Sequence, residues 1–546
     1  MPIELLAPSL LVAALAVLPI VYLIYRASQA NEGVVRLVFR RRTFDLFVDT
    51  ALLAGAVSMT AALIAVPLAW LTLRANLPGG RIFSAISILP LVIPSYVGAI
   101  AYVAALGPRG DLQGWLERWF GIDSIPSIYG FFGAWLILSL FTYPYVYLSV
   151  RAALRGLDPS LEEASRSLQS SSLRTFFQCT LPQLRPAIVS GALLSALYTV
   201  SDFGVVTLMR YDAFTRTIYT QYRSAFDRTL AAALGILLVL FALSLVMGEG
   251  ALRNRGAYHR LGSGSAREPA ITRLGRWRWL ASGFCALIPL LALGLPIAML
   301  IYWILTGVST DSQLQVLPRA AMNSMLIGLY TAIVASIAAL PVAILAVRYH
   351  RFLFSRIIER IAYLGYALPG IVIALSFVFL GARYLTPFYQ TLPLMIFAMS
   401  IRFIPFGVGA ARTSLLQISP RLEESSRSLG RSSLATTLRI TVPLAWPGIS
   451  AGAALVFLSV LKELPITLLL SPTGFDTLAT EIWSATDGGA FGRAAVPALA
   501  LIVISAIPTL LLALRTSRPV ATNDDEPEEA LPRRRADRDS QVPFSA

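Results

Sequence analysis

Apolar segments long enough to cross a bilayer recur along this 546-residue chain, and that recurrence leaves few folds open. They lie near 8–26, 48–73, 84–107, 129–152, 187–208 and 229–248, and again near 281–305, 321–347, 360–382, 389–411, 448–470 and 492–514. About 20 apolar residues match the hydrocarbon thickness. In lipid every backbone N–H and C=O must find its partner within the protein, so such segments form helices. The expectation is an all-α membrane protein with twelve transmembrane helices in two sets of six. An even number puts both termini on one side. The run from about Leu10 to Ile24 reads as a retained span, not a cleaved signal. With 56% hydrophobic and 14% charged residues, the composition is that of a polytopic membrane protein.

The two sets are copies of one another. Asp49-Thr50 matches Asn323-Ser324, Pro67 matches Pro341 and Arg74 matches Arg348, all 274 residues apart. Pro94 matches Pro369 at 275, and Pro144 matches Pro405 at 261. The spacing falls because the first set carries extra residues around 107–129, including Trp115, Trp119 and Phe120. A parallel repeat implies two halves related by a pseudo-twofold axis along the membrane normal. The boundaries are 1–248 for the first half, 249–280 for a cytoplasmic linker with Gly-Ser-Gly-Ser at 262–265, and 281–514 for the second half. Residues 515–546 form a tail expected to be disordered.

One polar stretch occurs twice in this apolar chain. Its first copy runs from Leu157 to Leu168 and continues to Leu181-Pro182; the second runs from Ile418 to Leu429 and continues to Val442-Pro443. The register of 261 holds without a gap and reaches Gly191 and Gly452 beyond. Asp158 and Ser419 stand at N-cap positions, each followed by proline at the first helical position. Glu162-Glu163 and Glu423-Glu424 fall near the first turn, where the helix dipole favours anions. Leu161, Ser165 and Leu168 share one face by spacing, as do Leu422, Ser426 and Leu429. Small residues at Ala164-Ser165 and Ser425-Ser426 admit a close backbone, and Gly430 is a natural stop.

The formal net charge is +15, almost all from arginine; Lys462 is the only lysine. In a membrane protein such an excess points to cytoplasmic loops facing anionic lipid rather than to nucleic acid. Arg74, Arg81, Arg151, Arg155, Arg166, Arg174 and Arg185 flank the even loops of the first half, and Arg348, Arg351, Arg356, Arg412, Arg421, Arg427, Arg431 and Arg439 those of the second. The positive-inside rule makes those loops cytoplasmic, both polar helices and both termini included. Arg36 and Arg40–Arg42 disagree, falling on the outer side; a short interfacial helix is one way to hold them.

The doubled stretch resembles the cytoplasmic signature of ABC-importer permeases, E-A-A, three residues, G, nine residues, I, one residue, L-P. The second copy reads Glu424-Ser425-Ser426, Gly430, Ile440, Val442-Pro443. The first reads Glu163-Ala164-Ser165, then Gln169 and Cys179 where glycine and isoleucine are expected. The resemblance implies a type I importer permease fold. It also implies two ATP-binding cassette subunits that use ATP and Mg, and an extracytoplasmic solute-binding protein. The residues coupled to the ATPases would be Leu161, Glu162, Glu163, Ala164 and Leu168, with Leu422, Glu423, Glu424, Ser425, Leu429 and Gly430.

The chain is not itself expected to be an enzyme or to bind a cofactor. A phosphate-binding loop needs a lysine after glycine, and the only lysine here follows a leucine within a span. His259 and His350 lie far apart without ligand spacing, so no metal site is read. Cys179 and Cys285 do not suggest a disulfide framework.

Ionisable residues inside spans are a different matter. Asp202 and Glu463 stand at matching positions, beside Gly204 and Pro465, where both helices are expected to break. A charge at a helix centre costs roughly 2.5–3.5 kcal/mol on insertion scales, so neither acid should face lipid. They line a route for a cationic solute together with Lys462, Tyr198 and Ser201; or Glu463 pairs with Lys462 or an arginine while Asp202 caps a broken helix. Tyr96, Tyr143, Tyr147, Tyr198, Ser201 and Thr467 are either oxygen ligands for a hard cation or packing. Segments 209–227 and 471–491 also align and offer a docking face for a delivering protein.

Among importers, Ser201–Val206 and Lys462–Leu470, running on through Gly474–Trp483, resemble the fused two-half permeases of ferric-iron systems. That implies one fused chain per complex in a bacterial inner membrane. Fused permeases for thiamine, phosphonate or polyamine share the architecture. An ion-coupled secondary transporter is the alternative of another class; it has no use for a paired signature.

Overall fold

The computed structural model describes residues 3–30, 32–107, 110–121, 126–157, 172–224, 228–252, 271–306 and 310–516. Among them, ten helices are long and apolar enough to cross a membrane, or twelve spans if each of two bent pairs counts as one. In the first half the order is Ile3–Ser28, Arg41–Arg74, the bent pair Gly80–Val92 and Ser95–Leu106, then Phe131–Gly156, Phe176–Ser201 and Thr229–Leu252. The second half repeats the order with Trp277–Leu305, Thr310–Arg348, the pair Leu353–Ala367 and Gly370–Arg383, then Leu392–Gln417, Ser433–Leu461 and Ala495–Thr516.

The expected spans 84–107 and 360–382 fall on the two pairs that are sharply bent, by 97° and 100°. The matched prolines Pro94 and Pro369 sit at the corners in extended backbone, because proline removes a backbone donor and biases the residue before it away from helix. Arg36 lies on a short helix, Glu32–Val38, and Arg41 opens the helix Arg41–Arg74.

In each half three helices form the core: Arg41–Arg74, Phe131–Gly156 and Phe176–Ser201, and their repeats Thr310–Arg348, Leu392–Gln417 and Ser433–Leu461. Without a hydrophobic drive between helices in lipid, close backbone approach carries the packing. The register glycines supply it. A Cβ on Gly191 would stand 2.6 Å from Val146 Cα, and one on Gly452 would stand 3.2 Å from Gly407 Cα. The repeat extends to backbone irregularities: π-helical turns occupy Phe176–Thr180 and Thr437–Thr441, just before Pro182 and Pro443.

The first helix of each half packs on the other half. Ile3–Ser28 lies against Thr310–Arg348 and Leu353–Ala367, with the Ser376 hydroxyl donating to the Pro19 carbonyl at 3.1 Å. Trp277–Leu305 lies against Ser95–Leu106, where Tyr102 Oη donates to the Leu291 carbonyl at 3.0 Å. That carbonyl belongs to a π turn, Leu290–Gly294, and the residue five positions on is Pro296, which has no N–H to offer. Tyrosine from the opposite half fills the gap.

Candidate functional site

Two places collect the residues singled out above. The first is the short helix Pro420–Ser428. Ser419 holds the N-cap position in extended backbone, although its hydroxyl makes no capping bond. Gly430 ends the helix at φ +82°, which lets Arg431 N–H donate back to the Ser426 carbonyl at 3.3 Å.

The helix has two unlike faces, and they divide the expected set. Glu423 is buried and points into the protein. Arg348 reaches it with Nη2 at 3.0 Å and Nε at 3.1 Å, the Thr441 hydroxyl donates at 3.0 Å, and Arg427 lies 3.5 Å away. Arg348 also donates to the Ile418 carbonyl at 3.1 Å. Ser426, placed by spacing on the leucine face, instead turns inward to meet Thr436 at 3.0 Å. Arg348 and the strands of chain around the π turn pull residues 423 and 426 in together, three apart on one stripe. The outer face keeps Glu424 and Ser425 exposed, with Leu422 at 49% and Leu429 at 83% exposure and Gly430 open. Apolar side chains held out on a polar helix mark a surface for a partner. Leu161, Glu162, Glu163, Ala164 and Leu168 lie outside the described residues.

The second place is a cavity of about 180 Å³ between the halves. Its walls include all five expected residues, Tyr198, Ser201, Asp202, Lys462 and Glu463. The helices break there as anticipated, Phe176–Ser201 giving way to Gly204–Leu208 and Ser433–Leu461 to Pro465–Leu470. Asp202 Oδ1 accepts from the Val205 N–H at 2.8 Å, and its Oδ2 accepts from the Ser95 hydroxyl at 2.6 Å. The acid therefore meets two helix N-termini, its own short helix and Ser95–Leu106, where backbone donors favour an anion.

Glu463 repeats this placement with one change. The position of Ser95 is taken by Gly370, and Arg402 fills the space, its Nε 3.3 Å from Glu463 Oε2. A Cβ on Gly370 would stand 2.2 Å from Arg402 Nη1 and 2.4 Å from Glu463 Oε1, so a side chain there would make the outer ends of both partners shift. Lys462 crosses to the other half and donates to the Leu91 carbonyl. Two acids and two cations thus line one cavity. Arg402 was not singled out beforehand; an arginine inside the expected span 389–411 was the signal.

Of the six oxygen donors considered, Tyr96, Tyr198 and Ser201 line the cavity. Tyr143, Tyr147 and Thr467 do not. Tyr147 bonds Ser84 at 3.1 Å, and Thr467 donates to the Glu463 carbonyl at 2.5 Å. Tyr96 Oη, Glu463 Oε1 and Arg402 Nη1 are buried at the cavity without a hydrogen-bond partner. At one end Phe203 packs on Tyr219 at 4.8 Å and on Trp483 at 5.0 Å, one ring from each half.

Residues 59–248 and 339–518, one stretch per half, match the family of binding-protein-dependent transport system inner membrane components. The chain belongs to that family. The permease is 34% identical to the Fe(3+)-transport system permease protein FbpB 2 of Haemophilus influenzae, over 91% of this chain and 95% of that one. It is 26% identical to the ferric transport system permease protein FbpB of Actinobacillus pleuropneumoniae, over 87% of this chain and 72% of that one. A single half resembles the molybdenum transport system permease protein ModB of Escherichia coli, 32% identical over 37% of this chain and 91% of that one. The permease is an inner-membrane transport component with two type I halves fused in one chain.

Proposed function

We propose that this permease belongs to an ATP-driven importer carrying ferric iron, free or chelated, that an extracytoplasmic binding protein delivers. The observation that carries the proposal is the similarity to an Fe(3+)-transport permease across both halves. Two ATP-binding cassette subunits hydrolyse ATP with Mg and grip the chain at two matched helices. Leu422, Leu429, Glu424 and Ser425 form the second docking face, and their exposure supports that role. Leu161, Glu163, Ala164 and Leu168 form the first by sequence register, with Glu162 matched to the inward-turned Glu423. Both termini are cytoplasmic. The solute crosses between the halves past Asp202, Glu463, Lys462, Tyr198 and Ser201, whose shared cavity and unpartnered polar atoms support a route.

Reconstitution tests this. The permease is purified with the subunits that accompany it, placed in liposomes, and assayed for radioactive iron uptake. Uptake that needs ATP and the binding protein is expected. Uptake without any ATPase would instead indicate a secondary transporter, and a binding protein loaded with thiamine, phosphonate or polyamine would reassign the cargo.

A further inference from the structure

Arg383 lies across the protein from the Pro420–Ser428 helix, because the Leu392–Gln417 helix runs from one face to the other. There a basin of about 780 Å³ opens between the halves. Arg26, Arg223 and Arg228 of the first half and Arg383 of the second line it. Among the described residues no carboxylate lines it. Arg223 has Asp487 at 3.9 Å, but both side chains are more than half exposed and such a contact is weak.

Each guanidinium lies over an aromatic ring. Arg26 stands 5.6 Å from the Phe379 ring, Arg223 5.7 Å from Tyr219, Arg228 4.6 Å from Tyr222 and Arg383 5.9 Å from Tyr384. Arg26 Nη1 also donates to Gln29 Oε1 at 3.1 Å and Arg223 Nη1 to the Tyr219 hydroxyl at 3.2 Å, so these contacts hold the guanidiniums in place and their remaining N–H groups face an oxyanion. Arg26 Nε is buried with no hydrogen-bond partner. Four like charges drawn into one concavity repel one another, and a multivalent anion relieves that repulsion at a stroke.

We propose that this basin binds a small polyvalent oxyanion, a polycarboxylate or phosphate, that accompanies the cargo to the mouth of the route. A bare trivalent cation would be repelled here, whereas a chelated one would be held. The central cavity fits that reading, since Asp202 and Glu463 are offset by Arg402 and Lys462 and a complex arriving with its own ligands requires no further carboxylates. The link to cargo rests on the proposed function; the anion site itself does not.

The test is calorimetric titration of citrate into the full chain in phosphatidylcholine nanodiscs, with no ATPase or binding protein present. Saturable binding is expected, weakened about tenfold in each of R228Q and R383Q by loss of a charged hydrogen bond. R383K keeps the charge without the fork and should fall between. R356Q, an exposed change far from the basin, should match wild type. Absence of saturable heat, or affinity unchanged in R228Q and R383Q, would overturn the site. Loss of citrate binding when phosphatidylglycerol is added to the disc would assign the basin to lipid headgroups and overturn the soluble-anion proposal. Because iron uptake is measured separately, a failed titration leaves the importer reading standing, and a failed uptake assay leaves the anion site standing.

Discussion

Replacing Glu423 by alanine should detach the Pro420–Ser428 helix from the membrane core. The carboxylate is 6% exposed and accepts from Arg348 and Thr441, while Arg348 itself is 12% exposed. In E423A the guanidinium keeps only the Ile418 carbonyl. Removing one partner of a buried ion pair costs about 3–5 kcal/mol, chiefly because the other charge stays buried and unpaired. At about 1.4 kcal/mol per factor of ten, the docked helix loses roughly 140- to 4,000-fold in population against the undocked one. Hydrogen exchange of the amides in 420–436, followed by mass spectrometry on the purified permease, reads this directly. The remaining helices should keep their protection. A double change, R348M with E423L, removes both charges and should recover most of the loss, since apolar replacement of a buried pair is often near neutral. Unchanged exchange in E423A, or a double variant no better than the single, would refute the reasoning that an orphaned arginine is the cause.

Three further outcomes follow. Reversing charge at the exposed neighbour, E424R, should leave thermal unfolding and hydrogen exchange unchanged yet abolish stimulation of ATP hydrolysis by the binding protein; retained stimulation counts against a docking face there. G370A should impair iron uptake at least tenfold and lower the melting temperature, because its methyl group would displace both Arg402 and Glu463, and wild-type uptake would show that the ion pair is not needed in place. K462M removes the bond to the Leu91 carbonyl across the halves and should raise basal ATP hydrolysis in the assembled complex by making the halves easier to part; an unaltered basal rate would show that this bond restrains nothing.

Much of this was legible from residue order alone, and the reasons differ by element. Gly204 and Pro465 announced the broken helices because each locally disfavours continued helix, and the breaks lie at Asp202 and Lys462–Leu464. Gly191 and Gly452 kept register because each meets a backbone at close range. The corners at Pro94 and Pro369 were visible as matched prolines, yet hydropathy cannot tell a bent span from a straight one. Nor does spacing separate two adjacent acids. Glu423 and Glu424 look alike in sequence; Arg348, 75 residues earlier, draws one inward and leaves the other out. The same long-range dependence hid the pairing of Glu463 with Arg402, although both readings of that acid had been open.

The exchange of leading helices sets a mechanical limit. Ile3–Ser28 and Trp277–Leu305 clasp opposite lobes like interlocked fingers, so severing the covalent connection within 253–270 should not set the lobes free. Fragments made on either side of that cut are expected to co-purify. Any opening of the passage must then proceed by swivelling about the clasp, with each borrowed helix carried along by its host, and complete separation is denied to a chain knitted in this way.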